Sequence, residues 1–168
     1  MKKLVVGMLL LGLASLGFSQ EIKNGIEEVA LSEVTVSPII NSEYIDKVQD
    51  DYTPLRVKMF ENEVAKYDIK DSYLYDRDYD QFVIIFVQDN GKIVATFDDD
   101  GNIVNAFEYH LDVRVPRNLI DGVYKQYPGW TAEKSKYLVS YGNNKDVKKV
   151  YKLVLAKNDT RKRLKLFP

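Results

Sequence analysis

Two segments of the chain place hydrophobic residues at every third or fourth position, and each pattern predicts an amphipathic helix. In the first segment these positions are Val57, Phe60, Val64 and Tyr67. In the second they are Leu119, Ile120, Val123, Tyr124 and Tyr127. Thr53-Pro54 and Val115-Pro116 favour the two helix starts, and Pro128-Gly129 ends the second helix. The first turn of the earlier helix has an extended alternative, because Leu55, Val57 and Met59 alternate with period two.

Seven further runs are rich in alternating or β-favouring apolar residues and predict strands at 72–76, 81–88, 92–98, 103–109, 132–141, 147–157 and 161–167. Asn90-Gly91, between two of these runs, is the strongest hairpin signal because both positions tolerate a positive φ angle. Short turns between strands favour antiparallel pairing, so the chain predicts an α+β fold with two helices packed on one face of the sheet. Because a helix followed by strands occurs twice, residues 53–110 and 111–168 are candidates for tandem α-β-β-β half-repeats.

The N-terminal residues have the composition of a secretion signal. Lys2 and Lys3 are followed by a Leu-rich, nearly uncharged segment at 4–16, and Gly17 and Ser19 are the small residues that signal peptidase accepts. We expect a signal peptide at 1–19 that is cleaved near Ser19, an N-terminal arm at 20–52, and a domain at 53–168. Within the arm, residues 34–36 alternate like a short strand and residues 44–48 carry a short helical stripe, but the order of the arm stays open.

A secretion signal without a later membrane span predicts a secreted or periplasmic protein. No stretch after the signal is long and apolar enough for a transmembrane helix. The chain contains no Cys, so its stability must come from a hydrophobic core and not from disulfides.

Charge is unevenly distributed along the chain. Residues 21–112 hold 21 acids against 8 bases, a net of −13, whereas residues 113–168 hold 4 acids against 14 bases, a net of +10. This asymmetry is typical of a basic half with an anionic partner, and the acidic half of a second copy would also serve. Alternatively, the two halves attract each other or each solvates its own surface.

The last predicted hairpin carries the sharpest local feature, a group of cations. Alternation places Arg161, Arg163 and Lys165 on one side of the final strand, and the turn brings Lys152 alongside. We expect these four cations to form a basic strip on the exposed side, flanked by Tyr141. The expected partner is a protein or an anionic envelope ligand such as a glycan or a lipid head group, and not nucleic acid. Cations that protect an edge strand from aggregation are the alternative explanation.

Tyrosines offer a second candidate surface. Tyr73 and Tyr75 share one side of their predicted strand, as do Tyr137 and Tyr141 of theirs. On the face away from the helices they would form a recognition surface; under the helices they would be core.

No catalytic or metal-binding constellation is evident. His110 is the only histidine and Cys is absent, so nucleophilic catalysis would depend on His110 alone, at a strand end where we expect a surface or satisfied edge residue. Asp98, Asp99 and Asp100, and likewise Asp76, Asp78 and Asp80, could hold calcium only with a loop that the EF-hand pattern does not support. Hairpin turns explain both clusters better, and we expect no metal and no cofactor.

Five motifs carry a resemblance to a known family. They are FDDDG at 97–101, VRVP at 113–116, YPGW at 127–130, YLVSY at 137–141 and YKLVL at 151–155. In this order they resemble the PepSY-like, β-lactamase-inhibitor-like group of small secreted bacterial proteins, over about residues 55–167. The resemblance implies helices on one face of an antiparallel sheet and a role in binding or inhibiting other proteins, and it supplies no catalytic residues.

Some chains similar to this one carry the name nicotinate-nucleotide adenylyltransferase. Such enzymes use an H-x-G-H motif on a parallel nucleotide-binding fold. His110 is instead followed by Leu111-Asp112-Val113, and no Gly-rich strand-to-helix turn is present.

The sequence therefore favours a secreted, non-enzymatic binding or inhibitor-like module of unknown ligand. An enzyme, either the named adenylyltransferase or a hydrolase with unrecognised carboxylates, is one alternative. A structural envelope protein is the other.

Overall fold

The computed structural model describes residues 26–30, 37–76 and 78–168; in the first of these segments the only side chain described is that of Glu28. The helices are α1 (Ser42–Val48), α2 (Leu55–Ala65) and α3 (Arg117–Gln126), with a 3-10 turn at Ile69–Asp71. The strands are β1 (Ile26–Ala30), β2 (Gln81–Gln88), β3 (Gly91–Asp98), β4 (Ile103–Leu111), β5 (Thr131–Gly142), β6 (Lys148–Lys157) and β7 (Thr160–Leu166). The predicted α+β class is confirmed.

The seven strands form one sheet in the order of the chain, β1 to β7. From β2 to β7 every neighbouring pair is antiparallel, as the turn residues between the predicted strands indicated. The strand β1 differs, because it pairs parallel to β2 at the edge of the sheet. A parallel pair needs a long crossover, and the chain between these two strands contains α1 and α2. Sequence pattern did not indicate this pairing, because the five residues of β1 do not alternate clearly.

The main core lies between α1, α2 and one face of the sheet. Tyr44 and Val48 of α1 and Phe60 of α2 are fully or nearly fully buried there. Phe82, Phe86 and Phe97 of β2 and β3 belong to the same cluster, since alternation brings every second side chain of a strand to that face. The part of the predicted arm from Asn41 to Asp50 is therefore packed against the domain.

The helix α3 covers the other end of the same face. Val123, at its centre, packs on Leu153 and Leu155 of β6, and Ile120 and Trp130 join the edge of this second cluster. Pro116 stands immediately before the helix, where its missing N–H costs nothing. Gly129, just after the helix, has a φ of 78°, which favours glycine.

One predicted strand does not form. Residues 72–76 are turns and irregular backbone after the 3-10 turn. Tyr73 is 83% exposed, and the Tyr75 ring packs on Phe82 while its hydroxyl donates to the Asp99 carbonyl oxygen. The predicted strand that contained Tyr73 and Tyr75 is thus absent. The chain still runs helix, three strands, helix, three strands, and the tandem repeat itself stays a prediction.

The hairpin between β2 and β3 turns one residue earlier than the sequence indicated. Its loop is Asp89-Asn90, and Asn90 takes the positive φ of 59°. Gly91 is the first residue of β3, where an added Cβ would lie 3.1 Å from two atoms of the Phe60 ring. The glycine thus gives the Phe60 ring of α2 room for its close approach, and the positive φ of the turn belongs to Asn90.

The predicted signal peptide at 1–19 and the short strand at 34–36 lie outside the described residues. The division into arm and domain stays a prediction.

Candidate functional site

The sheet face opposite the helices, called here the open face, carries a groove of about 920 Å³ across β4 to β7. Six cations line it, and we call it the basic groove: Lys134, Lys136, Lys152, Arg161, Arg163 and Lys165. Tyr109, Leu138 and Val154 contribute to its lining between the cations. The structure thus brings together the four cations that the sequence grouped and adds two from β5.

Strand register explains why these side chains meet. Lys136 of β5 lies opposite Lys152 of β6, and Lys152 lies opposite Lys165 of β7. We call these three residues the lysine row. Two residues further along β6, Val154 lies between Lys134 of β5 and Arg163 of β7. Residues directly opposite each other in a sheet project to the same face, so all five cations point to the open face.

One cation of the groove is neutralised within the chain. Arg161 donates to both carboxylate oxygens of Glu133, at 2.8 and 3.2 Å. This bonding lowers the pKa of the Glu133 carboxyl and raises the pKa of Arg161. Among the described residues, no acid forms an ion pair with the other five cations. Within the same part of the chain, Lys136 alone of the five has a polar partner, the Tyr109 hydroxyl at 2.8 Å.

The expectation that Tyr141 flanks the basic strip is wrong. Tyr141 is 5% exposed and its ring meets that of Tyr44 of α1 edge-on, so it lies on the helix-covered face. Tyr137, four residues earlier, is fully buried on the same face and stacks on Tyr151. These tyrosines are core, and β5 presents Lys134, Lys136 and Leu138 to the open face instead.

The sequence pattern also indicates the position of Lys134 and Lys136, the two cations that were not part of the expected basic strip. Alternation assigns Lys134 and Lys136 to the side of β5 opposite Tyr137. What it could not show is that this side faces the same way as Lys152, because register between strands depends on the fold.

A second group of chemistry-bearing residues lies under the helices, and we call it the buried carboxyl cluster: Tyr44, Glu61, Glu108 and His110. The Glu108 carboxylate accepts a hydrogen bond from the Tyr44 hydroxyl at 2.7 Å, and its other oxygen lies 3.0 Å from His110 Nε2. Glu61 and Glu108 are both 0% exposed. Such a pair can remain in a core only when hydrogen bonds or protonation remove most of its charge.

Glu61 of α2 is the poorly satisfied member of this cluster. Neither of its carboxyl oxygens forms a hydrogen bond of normal geometry with a described residue, and Glu108 and Gln49 are its polar neighbours. Burial, and then the charge of Glu108, raise the pKa of Glu61 to about 10. Glu61 is therefore protonated at neutral pH. The two Glu108 oxygens face the Tyr44 hydroxyl and His110.

The expectation that His110 lies at the surface is also wrong. It stands near the end of β4, opposite Gly91, as a strand-end residue should, but it is 2% exposed between the Phe60 ring at 6.0 Å and the Tyr137 ring at 6.2 Å. Its hydrogen-bonding need is met by Glu108. A substrate has no access to a pair buried to this degree, so His110 and Glu108 act as a structural polar contact.

Two further polar contacts join the arm to the sheet. Lys149 of β6 donates to Asp50 at 2.5 Å, and the Tyr151 hydroxyl donates to the Tyr52 carbonyl oxygen at 2.7 Å. Partial burial works to raise the pKa of the Asp50 carboxyl, but the hydrogen bonds from Lys149 and Thr53 outweigh it and hold that pKa below its ordinary value. The helix α1 is thereby anchored at its C-terminal end.

The aspartate clusters take part in turns. The Asp98 carboxylate accepts from the backbone N–H and the side-chain amide of Asn102, and the Asp76 carboxylate accepts from the backbone N–H of Asp78. Over the described part of the chain, no group of three or more His, Cys, Asp or Glu side chains is arranged to hold a metal ion.

Comparison with protein-family models finds no matching family, and comparisons with curated proteins and with solved structures find no match. Among the described helices, none has both the length and the hydrophobicity needed to cross a bilayer.

Proposed function

We propose that this protein is a secreted or periplasmic binding module, without enzymatic activity, whose basic groove contacts an anionic partner. The observation that carries the proposal is the set of five cations on the open face, none of which forms an ion pair with a described acid. Like charges directly opposite each other destabilise a sheet. A lysine row therefore reduces stability unless an anion outside the chain binds to it.

Protection of the sheet edge does not explain this arrangement. Cations guard against aggregation when they lie on the edge strand itself, and β7 is that strand. Lys136 lies on β5, two strands inside the edge, and Lys152 lies on β6. Edge protection gives no reason for two lysines that repel each other inside the sheet. Their position therefore favours a binding role.

The hydrolase alternative finds little support in the buried carboxyl cluster. Glu61 and Glu108 are neighbours, as the two acids of a glycosidase are. Both are completely buried beneath α1 and α2, however, so a sugar could not reach them. The PepSY-like, inhibitor-like resemblance, with its binding role, remains part of this proposal.

The test compares two charge reversals with the same change in net charge. Lys152→Glu with Arg163→Glu removes the centre of the basic groove, and Lys70→Glu with Lys125→Glu changes exposed lysines outside it. Each purified protein is immobilised, loaded with envelope extract at low salt and eluted with a salt gradient. We expect the components retained by the wild-type protein to be lost by the groove variant and kept by the control, since screened electrostatic contacts dominate. Equal retention by the groove variant would contradict the proposal.

A further inference from the structure

The spacing of the charges in the lysine row limits which kinds of anion can match it. The inference drawn from this spacing rests on the proposed function. Neighbouring strands of a sheet lie about 4.8 Å apart. Lys136, Lys152 and Lys165 are in register on three consecutive strands, so their attachment points span only about 10 Å. Three positive charges are thus held close together by the backbone itself.

Lys134 and Arg163 extend the row into a compact patch. They lie two residues along their strands from Lys136 and Lys165, which is about 7 Å at the usual rise per residue. Five cations therefore occupy a patch of about 10 by 7 Å. Glu133, the one acid among the described residues that line the groove, is already bonded to Arg161.

A protein partner matches this charge density poorly. Residues on one face of a strand are about 7 Å apart, and side chains at i and i+4 of a helix are about 5–6 Å apart. Acids at such positions also repel each other within the partner. A terminal phosphate group, in contrast, carries about −1.5 to −2 charges on three oxygens at neutral pH, and each phosphate inside a chain adds about one more. A short chain of phosphates thus brings enough charge for five cations into the area of the patch.

The residue types are compatible with phosphate. Four of the five cations are lysines, whose compact ammonium groups bind phosphate as point charges and do not impose the paired geometry with which arginine binds carboxylates or phosphates. The backbone N–H groups of β5 and β6 are committed to the strand ladder, so the groove offers no preformed cradle for a single anion. Its selectivity must come from charge density along a chain.

A lipid bilayer fits less well than a soluble chain. Stable attachment to a bilayer surface combines basic residues with apolar side chains that reach past the head groups. Leu138 and Val154 are half-buried between long lysine side chains, so the apolar part of the groove is recessed.

We propose that the basic groove binds a linear, phosphate-bearing polyanion, with successive phosphates along Lys136, Lys152 and Lys165. The probe is sodium tripolyphosphate, titrated calorimetrically into the purified protein at low and at physiological salt. The test variant is Lys136→Gln with Lys152→Gln and Lys165→Gln. The matched control, Lys47→Gln with Lys70→Gln and Lys125→Gln, removes three exposed lysines outside the groove.

We expect the groove variant to bind at least tenfold more weakly, equivalent to about 1.4 kcal/mol, and the control to remain within about twofold of the wild-type affinity, roughly 0.4 kcal/mol. Thermal unfolding of the groove variant should be unchanged or shifted upward, because removal of opposed like charges relieves repulsion. If the triple variant does not fold, Lys152→Gln alone, at the centre of the row, should still weaken binding by about threefold, roughly 0.6 kcal/mol.

Two parallel titrations separate this inference from the proposed function. Binding of poly-glutamate as tightly as of tripolyphosphate, at equal total charge, would overturn the preference for phosphate and leave the anionic-partner function standing. Binding to phosphatidylglycerol vesicles without binding to tripolyphosphate would overturn it in the same way. Absence of binding to all three probes would overturn both. Equal weakening in the control variant would show attraction to net charge alone and would also refute the site.

Discussion

Replacement of Glu61 by glutamine should stabilise the protein, and the gain should grow with pH. In the folded state burial and the Glu108 charge raise the pKa of Glu61 from its ordinary 4.5 to about 10. An acid whose pKa is raised on folding gives the folded state its full stability below the unfolded pKa, and this stability is lost as pH rises toward the folded pKa. The pH window for Glu61 is therefore about 4.5 to 10.

The size of the effect follows from proton linkage. Each pH unit inside this window removes about 1.36 kcal/mol of folding free energy. From pH 4.5 to pH 7 the loss amounts to about 3 kcal/mol, whatever the folded pKa, provided that it lies above 7. A glutamine side chain cannot ionise and has almost the same shape, and its amide can donate toward Glu108, a polar neighbour of Glu61. The Glu61→Gln variant and the wild-type protein should thus be equally stable near pH 4.5 and differ by about 3 kcal/mol at pH 7.

Urea unfolding followed by tyrosine and tryptophan fluorescence, at several pH values between about 4.5 and 8, measures this difference directly. A gain of that size should also raise the Tm at pH 7 by several degrees, at about 2–4 °C per kcal/mol for a domain of this length. The same change at exposed Glu43 is the control and should alter stability by less than about 0.5 kcal/mol at any pH. A stability difference between the Glu61→Gln variant and the wild-type protein that is the same at both ends of the pH range would refute the reasoning.

Three other predictions concern single features of the chain. Glu108→Ala should destabilise the fold by about 1–3 kcal/mol even at pH 4.5, because the Tyr44 hydroxyl loses its acceptor and His110 loses its hydrogen-bond partner. Urea unfolding measures this change, and no loss would show that the two bonds contribute nothing. Gly91→Ala should lower the free energy of unfolding by about 1–3 kcal/mol, because its Cβ would meet the Phe60 ring at 3.1 Å. Gly122→Ala, with no described atom within 4 Å, is the control and should leave α3 intact or stabilise it. Equal effects at both sites would contradict the packing argument. Mass spectrometry of the exported protein should give a chain that begins near Gln20, and an intact Met1 chain would rule out the cleavage.

Local pattern was enough to locate most of the secondary structure. Alternation and turn residues marked both ends of β2 correctly and the other antiparallel strands to within about two residues, because each hairpin strand is bounded by its own turn. The helix α2 begins after Thr53-Pro54 as predicted, since a proline is tolerated at a helix start. The failures at this level were the run at 72–76, whose tyrosines pack or project from turns, and β1, whose edge pairing is made by backbone groups that any sequence carries.

Alternation also divided the residues of each strand into two sides, but the sequence could not decide which side the helices would cover. That choice depends on where α1 and α2 dock, and it placed Tyr141 and His110 in the core and Lys136 on the open face. Strand register is likewise a property of two strands together, so only the folded sheet aligned Lys136, Lys152 and Lys165 in one row. The sequence by itself determined that the C-terminal half would be basic. The tertiary structure decided that its charges would converge on one patch, because contacts between distant segments are set by packing and not by local pattern.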